Sequence, residues 1–237
     1  MGDVQSDVIQ QALQHFWTMR DEQRRKQKDG GQGGGEARAN LHIKGFESAV
    51  REIFLDCGIP AEGVRTGKPY LPGYFRVRKQ WDLVVLYKEV LVAALEFKSQ
   101  VGSVAKNFNN RFEEALGSAT DLAAAQKNNA PFGAVPPWLG YVFVLEETDE
   151  TEKPDRQSHA LFDIDPSFKG MSYTQRYQEM ISRFVGENVY DIGWFLTTQR
   201  ADNGNITYKE PLPTATAHTL QVAVEGRVNL VKAMLGE

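Results

Sequence analysis

The sequence predicts a mixed α/β protein in which helices flank a central mixed β-sheet. Apolar residues recur at helical spacing in several separated segments. Short runs rich in Val, Leu and Phe are bounded by turn residues, and the two kinds of segment alternate along the chain without an internal repeat.

The opening segment reads as a helix. Ser6 or Asp7 can cap it, and Ile9, Ala12, Leu13 and Phe16 form its apolar stripe. It runs into a basic stretch, Arg20, Arg24, Arg25, Lys26 and Lys28, and then into a segment with five glycines between positions 30 and 35. Such a composition suits a flexible linker, or an arm that orders on a partner. The expected organisation is an N-terminal helix over 1–27, a glycine-rich linker or arm over 28–40, and a single domain over 41–237 that ends in a helix.

Within that domain Ile43, Phe46, Val50, Ile53, Phe54 and Cys57 mark a second helix, stopped by Gly58 and Pro60. Residues 68–79 read as irregular. Two strand-like runs follow, 81–87 and 90–99, joined by a tight turn near Lys88-Glu89. A polar loop over 103–110 leads into a long helix with Phe112, Ala115, Leu116, Ala119, Leu122 and Ala123 on its core face. Residues 138–146 read as a buried strand and 147–170 as a long charged loop. Ser172 caps a helix to about Val185, residues 190–198 form a strand, and a last helix after Pro213 turns Leu220, Val224, Val228, Val231 and Leu235 inward.

Composition excludes several function classes. The chain has 237 residues, with 27 Lys+Arg against 31 Asp+Glu and a net charge of −4. That balance argues against binding nucleic acid by bulk charge but permits a local basic cleft. No apolar run is long enough to cross a bilayer and the N-terminus lacks a signal-peptide pattern, so a cytoplasmic setting is expected. Cys57 is the single cysteine, on the apolar side of its helix, and is expected to be a plain thiol rather than a nucleophile. His15, His42, His159 and His218 are scattered, which excludes a histidine-built metal site or a Ser/His/Asp triad. Asn205-Ile206-Thr207 fits a glycosylation sequon, read as chance without a secretory signal.

The chemistry is expected at Asp82, Glu96 and Lys98. On the second run, Leu91, Ala93, Leu95 and Phe97 alternate with Val92, Ala94, Glu96, Lys98 and Gln100. An acid, a base and an amide therefore share one face at the end of an apolar strand, where unpaired charge is costly. If the turn is an odd-membered loop, such as Lys88-Glu89-Val90, Asp82 lies opposite Glu96 with Cβ atoms about 5 Å apart. A two-residue turn puts the two on opposite faces, unless a bulge intervenes. Two carboxylates that close call for a divalent cation, and Mg²⁺ suits them. Such a metal activates a water and stabilises a leaving oxygen, while Lys98 orients the water or offsets transition-state charge. The same spacing also arises at an ordinary strand end, with Glu96 and Lys98 a surface pair.

Trp81-Asp82, thirteen residues, then Glu96-Phe97-Lys98 resembles the PD-(D/E)xK nuclease signature, with Trp81 in place of the usual proline. The stretches LPGYFR, WDLVV, ALEFKSQ, NFNNRFEEALGSATDL and SYTQRY are similar to the XhoI-type type II restriction endonucleases, from about Phe46 to Tyr177. The resemblance implies a PD-(D/E)xK nuclease-like core. It further implies a homodimer that requires Mg²⁺, cuts both strands of double-stranded DNA at CTCGAG after the first C, and leaves 5′ overhangs. A cognate DNA methyltransferase would act on the same site without stable binding. Asp82 and Glu96 are then metal ligands, joined by the Phe97 backbone carbonyl, and Lys98 is the catalytic lysine. Glu47 is the better candidate for a further acid from the preceding helix, ahead of Glu52.

DNA contacts are expected from Gln100 and from Lys106, Asn107, Asn109, Asn110 and Arg111, whose groups suit base edges or phosphates. Arg76, Arg78 and Lys79 form a second basic set suited to phosphates. Gln175 and Arg176 could also face DNA. Two alternatives remain open on the residues: a structure-specific repair or recombination nuclease, and a non-catalytic DNA-binding protein.

Overall fold

A computed structural model describes residues 6–28, 41–133, 135–154 and 160–237. The glycine-rich segment lies outside the described residues. Helix α1 (Ser6–Lys28) carries the opening stripe and continues through the basic stretch. Helix α2 (Lys44–Asp56) buries Phe46, Ala49, Val50, Ile53 and Phe54. It ends at Cys57, where Gly58 takes a left-handed turn at φ +81°.

Among the described residues six strands form the main sheet in the order β1 (Val64–Arg65), β4 (Leu83–Tyr87), β5 (Val90–Gln100), β6 (Leu139–Glu146), β7 (Ile192–Arg200) and β8 (Ile206–Lys209). β5, β6 and β7 run parallel, and the outer pairings are antiparallel. The parallel strands are covered on both faces, which is why residues 139–145 are buried without alternation. The predicted mixed α/β class, with helices flanking a central sheet, holds. α1, α2 and the last helix α6 (Ala217–Met234) pack with Leu83, Val85, Ala93, Leu95 and Phe97 on one face. α3 (Val104–Asn129) and α5 (Tyr173–Gly186) pack with Val84, Ala94, Tyr141 and Phe143 on the other.

Several boundaries differ from the sequence expectation. Residues 68–79 are not irregular: β2 (Tyr70–Pro72) and β3 (Arg78–Gln80) pair as a separate antiparallel hairpin. Two such short strands carry too little alternation to be read from sequence. The loop expected over 103–110 is helical from Val104, and Asn107 bonds back to the Ser103 carbonyl at 3.0 Å. In α3 the buried set is Val104, Ala115, Ser118, Ala119, Asp121, Leu122 and Ala125. Phe112 is 40 % exposed and stacks on Phe184 instead of entering the core, and Ala123 faces outward. Residues 147–170 contain a short helix, α4 (Asp149–Glu152), capped by Thr148 and Thr151. β8 was not expected; it pairs with the end of β7. α5 follows the sequence closely, with Ser172 and Gln175 forming a reciprocal cap. α6 buries Leu220, Val224, Val228 and Val231, and Leu235 is only half-buried. Among the described residues no helix is long and apolar enough to cross a membrane.

Candidate active site

The β4–β5 hairpin resolves the register question. Lys88 and Glu89 form a two-residue turn, both with positive φ (45° and 64°), so Tyr87 pairs with Val90 and Leu86 with Leu91. The odd-membered loop is therefore not formed. A bulge supplies the extra residue: Val85 pairs with Ala93, Val84 with Ala94 and Leu83 with Leu95, which leaves Val92 unmatched. Carried one residue further, that register sets Asp82 level with Glu96. The Asp82 Oδ2 accepts the Phe97 amide at 2.8 Å, which fixes the carboxylate against β5. The bulged Val92 carbonyl is itself satisfied, by the buried Arg227 Nε at 2.9 Å.

Asp82, Glu96, Phe97, Lys98 and Gln100 share a cleft of about 790 Å³. Lys68, just before β2, and Arg76, Arg78 and Lys79 of the β2–β3 hairpin line one part of it. The rest of the lining comes from Arg20 and Gln23 of α1 and from Asn107, Arg111 and Glu114 of α3. His42 also lines the cleft and bonds the Ser99 hydroxyl at 2.7 Å. Of the expected DNA contacts, Gln100, Asn107, Arg111, Arg76, Arg78 and Lys79 line the cleft. Lys106, Asn109 and Asn110 are exposed on α3 outside its lining. Gln175 is engaged in its helix cap, and the Arg176 guanidinium lies 5.0 Å from the Tyr173 ring. Cys57 does not line the cleft, and burial raises its thiol pKa, so it stays protonated.

Glu96 is 2 % exposed. Its Oε1 is held by the Lys79 ammonium, while its Oε2 is buried without a hydrogen-bond partner. Lys79 also lies 4.2 Å from the Trp81 ring centroid. Burial lowers the Lys79 pKa to about 7, the Lys98 charge adding to the effect and Asp82 opposing it. Contact with the Glu96 carboxylate works in the other direction and favours the proton on Lys79. Burial raises the Glu47 carboxyl pKa; Lys44 opposes the shift and the Asp82 charge adds to it. Glu47 is thus within electrostatic reach of Asp82, whereas Glu52 is exposed and paired with Arg51 at 2.7 Å.

The donor set fits a hard divalent cation. Asp82, just before β4, and Glu96, within β5, line the same cleft, and one buried Glu96 oxygen has no hydrogen-bond partner. Among the described residues no group of three or more His, Cys, Asp or Glu forms a ready cluster. A metal here would rest on two acids with water or backbone completing its shell.

Sequence reasoning missed the participation of Arg20, Gln23 and His42, and it missed Lys79 as the partner of Glu96. Arg20 stood in the basic stretch, and only the packing of α1 brings it to the cleft. Among the described residues, two of the four cleft arginines keep unused donors, since Arg20 Nε and Arg111 Nε are buried without partners.

Comparison with known proteins identifies the family. Residues 21–210 match the family described as restriction endonuclease XhoI. The chain is 36 % identical over 184 residues to the type II restriction enzyme BstVI of Geobacillus stearothermophilus, covering 75 % of this chain and 82 % of that one. It is 36 % identical over 176 residues to the type II restriction enzyme XhoI of Xanthomonas vasicola, covering 72 % and 71 %. Identity to the type II restriction enzyme AbrI of Azospirillum brasilense is 39 % over 150 residues, covering 60 % and 67 %. No solved structure gives a significant match. With the family match spanning most of the described domain, the chain belongs to the XhoI family of type II restriction endonucleases.

Proposed function

We propose that this protein is a Mg²⁺-dependent endonuclease that hydrolyses both strands of double-stranded DNA at the palindrome CTCGAG, after the first C, leaving 5′ overhangs. The observation that carries the reading is the bulged hairpin, which brings Asp82 and Glu96 level beside Lys98 on the floor of a basic cleft. The site sequence itself rests on the likeness to the XhoI-type enzymes.

Asp82 and Glu96, with the Phe97 carbonyl, would hold the metal. When bound, the cation supplies charge neutralisation at the phosphate and lowers the pKa of a water. Asp82 is pre-oriented by the Phe97 amide, so little reorganisation is needed at the reacting centre. Lys98, one alternation beyond Glu96 on the same face, holds the attacking water by hydrogen bonding and offsets charge building on the phosphoryl oxygens. Arg20, Arg76 and Arg111 on the walls bind the flanking phosphates, while Gln100 and Asn107 offer hydrogen bonds to the duplex. Lys106, Asn109 and Asn110 would meet DNA beyond the cleft rim. A palindrome read by one patch per strand calls for a two-fold homodimer. The methyltransferase that protects the host would share the site without stable binding.

Digestion of a sequenced plasmid with and without Mg²⁺, with fragment ends mapped, tests the reading. Discrete fragments ending in 5′-TCGA are expected, and chelation should abolish them. Structure-dependent nicking or end degradation would overturn the assignment. Asp82→Ala, Glu96→Ala and Lys98→Ala should each lower the cleavage rate by about 100-fold or more. Full cleavage by any of them removes that residue from the machinery.

A further inference from the structure

The tip of the β2–β3 hairpin is apolar where a surface turn is ordinarily polar. Phe75 is 73 % exposed, Val77 91 % and Tyr74 48 %. Single exposed apolar side chains need no explanation, but three on one turn at the rim of a charged cleft do.

The tip is also held in place. Asp121, 3 % exposed on α3, accepts the Tyr74 and Phe75 amides at 2.9 and 2.8 Å through Oδ1, and the Arg76 Nε at 2.7 Å through Oδ2. Arg76 Nη2 adds a bond to the Gly117 carbonyl at 3.3 Å. The approach is so close that a Cβ at Gly73 would fall 2.2 Å from Asp121 Oδ2, which excludes any other residue there. The Tyr74 and Phe75 rings meet edge to face at 5.1 Å, so each fixes the other. A buried carboxylate thus presents an exposed aromatic pair with little freedom.

The chemistry of the surroundings selects the occupant. Between positions 68 and 80 stand four cations, Lys68, Arg76, Arg78 and Lys79, and no carboxylate. All four line the cleft that holds Asp82 and Glu96. Apolar side chains flanked by cations match a nucleic-acid duplex, whose stacked bases lie between rows of phosphate, and a two-stranded ribbon fits a DNA groove.

We propose that residues 73–77 form a wedge that enters the duplex beside the cleavage site, with Tyr74, Phe75 and Val77 packed against bases and Asp121 as the positioning residue. The wedge rests on the nuclease reading above and adds to it a contact that the acid and lysine set does not require. It unstacks or deforms the local step, so that base identity there is felt through deformability as well as hydrogen bonding.

The test uses oligonucleotide duplexes carrying 2-aminopurine at successive positions of the site mapped for the unaltered enzyme, bound to Lys98→Ala protein to slow cutting. A fluorescence rise at one step is expected, and adding Phe75→Ala should remove it. In the otherwise unaltered enzyme, Phe75→Ala should weaken duplex binding about tenfold, with unchanged thermal stability and with Phe75→Trp restoring affinity. Asp121→Asn should lose the same signal, and adding Phe75→Ala to it should cost little more, since the two act as one unit. Binding within twofold of the unaltered enzyme for both Tyr74→Ala and Phe75→Ala, with the fluorescence rise intact, overturns the proposal. So does loss of affinity that tracks dissociation of the protein on sedimentation, which would make the tip a contact between copies. Failure of the unaltered enzyme to cut any duplex would instead sink the nuclease reading, so the two failures are separable.

Discussion

The two oxygens of Glu96 have different surroundings. One is held by Lys79; the other is buried and unpartnered. A buried carboxylate is tolerated only with a compensating charge, and without metal that charge is the Lys79 ammonium. Lys79→Met should therefore lower the stability of the metal-free protein by about 3–5 kcal/mol. Added Mg²⁺ should recover much of that loss, because a cation replaces the missing ammonium. Thermal unfolding with and without Mg²⁺ checks this, and equal stabilisation of variant and parent by the metal would count against Glu96 as a ligand. His42 gives a pH signature of a different kind. Burial, with Arg20 and Arg111 nearby, lowers its pKa to about 4, so the folded protein holds the neutral ring. The unfolded chain takes up that proton near pH 6.5, so it binds more protons than the native state between about 6.5 and 4. Stability should fall as pH drops through that window, by at most about 1.4 kcal/mol per pH unit from this group. His42→Gln, which keeps a hydrogen-bonding partner for Ser99, should flatten that part of a stability–pH curve.

In the β4–β5 hairpin one unmatched residue sets the register of the proposed catalytic acids. Side chains alternate with period two, so removing Val92 would turn Glu96 and Lys98 away from Asp82. Deletion of Val92 should abolish cleavage; an active deletion variant would show that the bulge does not set the site. Arg227 reaches the same place from α6. It bonds the Val92 carbonyl at 2.9 Å and the Pro136 carbonyl at 2.6 Å, while its own pKa is lowered by burial. Arg227→Met leaves those carbonyls without donors and should cost about 3 kcal/mol in denaturant titration. The paired acids and the lysine were legible in the sequence because they break an apolar alternation near its end. The bulge was legible only as one of two options. Nothing local to residues 83–92 distinguishes a three-residue loop from a two-residue turn with an extra residue in the strand. The 68–79 hairpin was illegible for another reason: its anchor, Asp121, lies over forty residues away on α3.

The molecule as a whole is acidic, yet its cleft is basic. The net charge is −4, but among the described residues seven Lys or Arg line the cleft against three carboxylates. Local concentration of charge steers a polyanion where the overall balance would repel it. Binding of duplex DNA should weaken linearly in log salt, and Arg20→Ala should reduce the slope by about one unit while affecting all sequences alike. An unchanged slope would remove α1 from the DNA-binding wall. Sedimentation of the full chain with and without duplex checks the expected dimer, and a monomer under both conditions would contradict it.

The long helices, the long strands and the candidate acids and lysine were encoded locally, in periodicity, caps and one departure from an apolar face. Those signals span a few residues, so they survive without knowledge of the fold. The partner of Glu96, the arrival of Arg20 and His42 at the cleft, and the fixing of the aromatic tip all join residues far apart in the chain. Burial and hydrogen bonding decide such contacts only when the sheet and helices have packed, because an unpaired buried charge or donor has no low-energy alternative once water is excluded.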